Sequence, residues 1–152
     1  LKEIILLRSN AVQITVSESK KGKLSQEIKV GTHVLEGDEP IANGGNDIGP
    51  SPYDFLLAAL GTCTSMTVRM YANFKKIPLD SISVKLNYEK IHAKDCVDCD
   101  SPNARIDHID RKIELRGNLT DEQRAKLLEI ANKCPVHRTL TSKIEIDTSL
   151  VE

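Results

Sequence analysis

The sequence predicts an α+β fold in which antiparallel sheets pack around one long helix, and three observations predict it. Between Phe55 and Val68 the chain carries no charged residue, inside the stretch Gly49 to Lys75, which reads as one long helix from Pro52 onward. β-prone runs flank that stretch on both sides, with period-2 alternation in Ser81 to Ile91. Further on, Thr120-Asp-Glu-Gln123 announces a second helix by its capping box. Strands, helix, strands, helices and a last strand, in that order, argue for antiparallel sheet with the helices gathered on one face. The length of 152 residues suits one domain with one core.

In chain order, residues 3 to 8 and 11 to 17 are short β-prone runs separated by Ser9-Asn10, a turn signal of hairpin length. A further strand is expected over Ser25 to Leu35, after the turn Lys20-Lys21-Gly22-Lys23. Gly37 to Pro50 holds four Gly and two Pro in fourteen residues and is a loop by composition. Such loops, delivered onto the start of a buried helix, are common carriers of site residues.

The long helix has a readable start: Ser51 can cap it, and Pro52 fits the first helical position, where its missing N–H costs nothing. Phe55, Leu56, Leu57, Ala58, Leu60, Cys63, Met66 and Val68 go right round the helical wheel, so the helix is expected to be covered on all sides, by sheet and by a second subunit. At about 1.5 Å per residue it would run about 35 Å. Thr62, Thr64, Ser65, Thr67 and Arg69 break the apolar run well short of the roughly 20 residues of a membrane span.

Pro78 closes this region, and Ser81 to Ile91 alternates Ile82, Val84, Leu86 and Tyr88 against polar residues, the pattern of a half-buried strand. His92 to Asp110 is polar and reads as an excursion beyond the sheet, with a strand returning over Arg111 to Arg116. The capped helix is expected to reach about Lys133, with Ala125, Leu127, Leu128, Ile130 and Ala131 on its apolar face. Cys134-Pro135 then breaks it and caps a short helix, Pro135 to Leu140, before a last strand from Lys143 to Thr148.

Composition excludes several functions. A net charge of −1 leaves no electrostatic footprint for nucleic acid or an anionic membrane, and five aromatics without a Trp make no base-stacking platform. Leu1 to Leu7 is too short and too charged for a secretory signal, and no small-residue cleavage site follows. The expected compartment is the cytoplasm, where four cysteines stay reduced and serve as reactive or metal-binding groups more readily than as structural bridges.

Those cysteines carry the chemistry. Cys63 lies mid-helix, two residues after a Gly61 that costs about 1 kcal/mol in a helix interior and is tolerated where something must approach closely. Hydroxyls of Thr62, Thr64 and Ser65 surround it; the plain alternative is a small apolar residue in a buried helix. Cys134 falls at an N-cap, where free backbone N–H groups and the helix dipole favour an anion, with His137 and Arg138 one turn on. That setting suits a reactive thiolate; the alternative is a simple capping residue.

Cys96 and Cys99 form C-x-x-C among Asp95, Asp98 and Asp100, without the βαβ context of a thioredoxin motif. Together with His92 and His108 they give four candidate zinc ligands within seventeen residues, and an exposed polar loop is the competing account. His33, followed by Asp38-Glu39-Pro40, is a further candidate site partner or a solvated strand-end histidine.

The combination GPSPYDFLLAALGTC on the central helix and CPVHRTL some seventy residues later resembles the OsmC/Ohr family, the osmotically inducible protein C and organic hydroperoxide resistance proteins, over nearly the whole chain. The resemblance is to the less-characterised branch, often described only as OsmC-like redox proteins. It implies an intertwined homodimer in which two long central helices are wrapped by sheets, with sites at the subunit interface. It also implies a thiol peroxidase in which Cys63 attacks the peroxide and Cys134 resolves it to a disulfide that an external dithiol reduces, with no cofactor required. In the better-known members a Glu and an Arg stand beside the first cysteine. Here Tyr53 occupies the Glu position with Asp54 after it, and Arg8 is the only arginine before the helix. Phe55, Leu60 and Met66 make apolar surroundings that would suit an alkyl hydroperoxide. The rival expectation is a dimeric, non-catalytic protein, zinc-stabilised through the 92 to 108 segment, that binds a small apolar or thiol ligand.

Overall fold

The structure is a computed structural model that describes residues 13–92 and 105–151. The chain divides into two compact units, one up to Leu56 and one from Leu57. Both are mixtures of helix with antiparallel strands, as the sequence predicts.

The first unit contains a three-stranded meander of β1 (Thr15–Glu18), β2 (Gln26–Val30) and β3 (His33–Gly37). Its register sets Val16 opposite Ile28 and Ile28 opposite Leu35. The single strand expected over Ser25 to Leu35 is instead a hairpin, with Val30 paired to His33 across the two-residue turn Gly31-Thr32. Gly31 has φ +59°, and a Gly at the first of two central positions is the signature of a type II′ turn, whose twist matches that of its strands. Of the two runs expected before it, residues 3 to 8 lie outside the described residues, and the second run contributes β1.

Beyond β3, the Gly-rich loop is organised by one carboxylate. Asp38 is only 2% exposed. Its Oδ1 accepts from the Glu39 N–H at 2.9 Å, and its Oδ2 from Asn46 at 2.9 Å and Ile48 at 3.4 Å. Gly45 is needed here because an added Cβ would stand 2.9 Å from Asp38 Oδ1 and collide with the Glu39 backbone. Burial pushes the Asp38 carboxyl up, but the N–H groups of Asn46, Glu39, Ile48 and Asp47 outweigh it and hold the carboxyl below its ordinary value.

The helix α1 (Pro52–Phe74) starts as its sequence dictates. Asp54 N donates to Ser51 Oγ at 3.3 Å, and Ser51 N donates to Asp54 Oδ2 at 2.8 Å, a reciprocal cap with Pro52 at the first position. It ends before Pro78, in a Schellman turn: Lys76 has φ +54°, and Ile77 N bonds Ala72 O at 2.9 Å. Arg69 then fastens the exit, donating to Leu79 O at 2.5 Å and Asp80 O at 3.0 Å.

In the second unit, β4 (Ser81–His92) and β5 (Arg105–Arg116) form a two-stranded ribbon. β5 is twice the expected length, so residues 105 to 110 belong to the ribbon and not to an excursion; alternation continues through Ile109, paired to Tyr88. The inward face pairs Ile82 with Leu115, Val84 with Ile113 and Leu86 with Arg111. On it rest α1 and α2 (Asp121–Ala131), whose Val68, Ala72, Leu127, Ile130 and Ala131 form the core with Leu79. Leu127 is fully buried, a contribution of about 1.5–3 kcal/mol from its side chain alone. The α2 capping box is present, Thr120 with Gln123, while Ala125 and Leu128 face out from the expected apolar stripe.

Two further expectations change. Within one chain α1 buries a single stripe, Leu60, Gly61, Thr64, Val68 and Ala72, and leaves Met66, Met70 and Phe74 exposed. After α3 (Pro135–Leu140), residues 143 to 148 carry no strand: Ile144 and Ile146 alternate correctly but stay exposed, because a strand exists only beside a partner ladder and the described residues supply none there. No helix among the described residues is long and apolar enough to cross a membrane.

The Asp38 nest yields a signed expectation. A carboxyl held below its ordinary value contributes stability that is complete above about pH 4 and is lost as pH falls through its folded value. Asp38→Asn should therefore lower the urea midpoint at pH 7, and the gap to the wild-type protein should close toward pH 3. A gap that persists unchanged at pH 3 contradicts the assignment.

Candidate active site

The second unit brings Cys63 and Cys134 together. Cys63 faces from the middle of α1 and is half-buried; Cys134, at the N-cap of α3, is fully buried, and both are free thiols. The Cys134 Sγ accepts from the His137 N–H at 3.4 Å, the capping bond expected for this position. The preceding N–H in the same turn, that of Val136, serves Cys63. Two sulfurs therefore share the exposed donors of one helix start, made available by Pro135 at its first position.

The surroundings of Cys63 in this chain favour its neutral thiol. Burial pushes it above its ordinary value, and Cys134 beside it pushes the same way, while the Val136 N–H and the Thr67 side chain pull it back. The hydroxyl serving Cys63 is thus Thr67, one turn on, whereas Thr64 turns to the other sulfur.

Thr64 is fully buried and its Oγ1 stands at a crossing of three elements. It lies 2.8 Å from Leu60 O on its own helix, 3.5 Å from Cys134 Sγ, and 2.8 Å from Arg111 Nη1 on β5. Arg111 also donates to Asn132 Oδ1 at 2.7 Å and to Ala131 O at 3.5 Å, tying the end of α2 to the same point. Gly61 lies against the ribbon at this point. A Cβ there would meet Leu86 Cδ1 at 2.8 Å, and Leu86 is the cross-strand partner of Arg111.

Arg111 was open to prediction from the sequence. In RKIELR the inward positions are 111, 113 and 115, so a cation occupies a place where alternation asks for an apolar residue.

Asp54 spends its carboxylate on Ser51, whose hydrogen bonds hold it below its ordinary value. Tyr53 is exposed beside it on the first turn of α1. His33 is exposed at the start of β3. His137 contributes its backbone N–H, and Arg138 is exposed on α3. Of the zinc candidates, Cys96 and Cys99 lie outside the described residues; His92 ends β4, and His108 Nδ1 faces Glu89 at 3.4 Å across the ribbon. Among the described residues no group of three or more His, Cys, Asp or Glu could hold a metal ion.

With this geometry in view, the model of the OsmC-like protein family matches residues 44–149, a span that includes both thiols. The chain belongs to the OsmC-like family. No curated protein sequence matches it. Solved structures resemble it over most of their length: an OsmC-like protein from Mycoplasma pneumoniae at TM-score 0.68 and 17% identity, covering 95% of this chain and 100% of the other. An organic hydroperoxide resistance protein OsmC from Legionella pneumophila follows at 0.64 and 15%, covering 88% and 91%. An organic hydroperoxide resistance protein from Elizabethkingia anophelis, with thiocyanate bound, stands at 0.63 and 18%, covering 92% and 94%. At such identities the likeness establishes the OsmC-like fold and nothing finer.

The sign of the Cys63 interactions can be measured. Replacing Cys134 by Ser removes the neighbour that opposes ionisation of Cys63. The pH midpoint for iodoacetamide labelling of Cys63, followed by peptide mass, should fall in Cys134→Ser; an unchanged or higher midpoint contradicts the arrangement.

Proposed function

We propose that this OsmC-like protein is a thiol-dependent reductase of organic hydroperoxides that works through a two-cysteine cycle. The observation that carries the reading is that Cys63 and Cys134, seventy-one residues apart in sequence, are neighbours at the start of one helix. The half-buried Cys63 attacks as thiolate on the peroxide O–O bond. Its sulfur gains one oxygen as sulfenic acid, and the other leaves with a proton as the alcohol. Cys134, the buried thiol, then attacks the Cys63 sulfur, the S–O bond breaks, and water leaves with the Cys134 proton. An external dithiol, oxidised in turn, returns both thiols in a reducing compartment such as the cytoplasm.

Family membership and two structural neighbours named organic hydroperoxide resistance proteins support a peroxide-related redox role. Contact between the thiols favours this over a non-catalytic binding protein, which would need no second sulfur there. No residue of the cycle calls for a metal or organic cofactor. A homodimer fits the same picture: Met66, Met70 and Phe74 repeat at helical spacing on the exposed face of α1, and Ile144 and Ile146 present an unpaired strand pattern, both suited to a second copy.

The assay is consumption of cumene hydroperoxide with dithiothreitol as reductant. Cys63→Ser should abolish turnover, and Cys134→Ser, treated with peroxide before any dithiol is added, should stop at the sulfenic acid, trapped on Cys63 by dimedone. Turnover that survives Cys63→Ser overturns the proposal.

A further inference from the structure

One group near the two thiols has no part in the cycle just described. Arg111 places a guanidinium on the inward, otherwise apolar face of the ribbon and spends it on the Thr64 oxygen, 2.8 Å away. That oxygen faces Cys134 Sγ at 3.5 Å, with both residues fully buried.

The donors and acceptors can be counted. The Thr64 oxygen has one hydrogen and two lone pairs. Its hydrogen lies toward Leu60 O at 2.8 Å, and Arg111 takes one lone pair. Either atom of the Thr64–Cys134 contact can donate, and the remaining lone pair lets the reduced Cys134 donate its S–H to the Thr64 oxygen while accepting the His137 N–H on the other side. The sulfur is held by these two partners and by the Cys63 thiol beside it. When the thiol proton departs, that bond cannot persist as it stands, and the Thr64 hydrogen can turn from Leu60 O to the sulfur. Leu60 O keeps its place within the helix ladder, so the exchange costs little.

We propose that Arg111 is a positioning residue acting through Thr64: it fixes the Thr64 oxygen so that the hydroxyl holds Cys134 for attack on oxidised Cys63 and hydrogen-bonds its sulfur as the thiol proton leaves. In the step it serves, a Cys134 lone pair forms the S–S bond, the Cys63 S–O bond breaks, and the departing hydroxyl takes the Cys134 proton as water. Peroxide has already supplied the oxidising equivalent. This assignment deepens the reading of the site as a two-cysteine centre and rests on it. A purely structural arginine, needed only to tie α2 to the ribbon through Asn132 and Ala131, would not distinguish one step of the cycle from the other.

The test separates the steps. Reduced protein is mixed with one equivalent of cumene hydroperoxide and quenched at intervals with dimedone and an alkylating agent. Peptide mass then follows the Cys63 adduct and the Cys63–Cys134 disulfide. Thr64→Val and Arg111→Gln should slow disulfide closure about tenfold or more relative to sulfenic acid formation, so that the dimedone adduct accumulates, while Thr64→Ser and Arg111→Lys should recover much of the closure rate. Closure as fast as in the wild-type protein in both Thr64→Val and Arg111→Gln overturns the proposal, as does equal slowing of both steps. Should either variant fail to fold, judged by its melting curve, the other decides. A parallel arm uses diamide, which closes the same disulfide by adding to Cys63 and being displaced as the hydrazine by Cys134. If the wild-type protein closes with diamide but never with peroxide, the hydroperoxide function falls, and the Thr64 and Arg111 variants in diamide still decide the positioning role by the same criterion.

Discussion

The Thr64 hydroxyl ties the second unit together. It is a polar atom with no access to water, and such an atom is tolerated only if its hydrogen-bonding capacity is filled. Filling it draws in three separate pieces of chain: the preceding turn of α1, the guanidinium of β5 and the thiol at the start of α3. A hydrogen bond to a charged partner contributes about 1.5–3 kcal/mol, and here it spans elements 47 residues apart in sequence. Removing the Thr64 oxygen would leave Arg111 half-buried with one donor unmet and Cys134 with nothing on one side of its sulfur.

From that tie the rest of the site follows. Gly61, one turn earlier, lies against Leu86, and Leu86 is opposite Arg111 on the ribbon, so the strand pair that packs on α1 also delivers the cation. Pro135 keeps the first N–H of α3 out of the count and leaves the next two for the two sulfurs. The result is an uneven pair. Cys63 is half-open but pushed toward its neutral form by burial and by its neighbour, whereas Cys134 is enclosed and directly hydrogen-bonded. An accessible thiol that meets the oxidant and a closed one that meets the oxidised thiol is the division of labour that a resolving cycle requires.

What could be read from the sequence was whatever local rules decide. Ser51-Pro52 and Thr120 to Gln123 fix helix starts within four residues, and Cys134-Pro135 fixes another, so all three stand where their residues place them. The two cysteines could be singled out by their flanks. Gly31 could have been read as a turn, since a lone Gly between Val30 and the next apolar alternation supplies the positive φ that a tight hairpin demands. The meeting of Arg111 with Thr64 could not be read, because it depends on the cross-strand register and on how the ribbon packs against α1. The C-terminal alternation at Ile144 and Ile146 and the apolar wheel of α1 mark faces that ask for cover. Neither says which chain supplies it, and one copy leaves Met66, Met70 and Phe74 uncovered.

The account stands on the two distant thiols being each other's reaction partners. Peptide mapping under non-reducing conditions, after brief exposure to a single equivalent of oxidant, reads this directly. The expected product is one cross-linked pair joining the tryptic peptides of Cys63 and Cys134, with Cys96 and Cys99 still available for alkylation. A bond between Cys96 and Cys99, with Cys63 and Cys134 both left as free thiols, would contradict it.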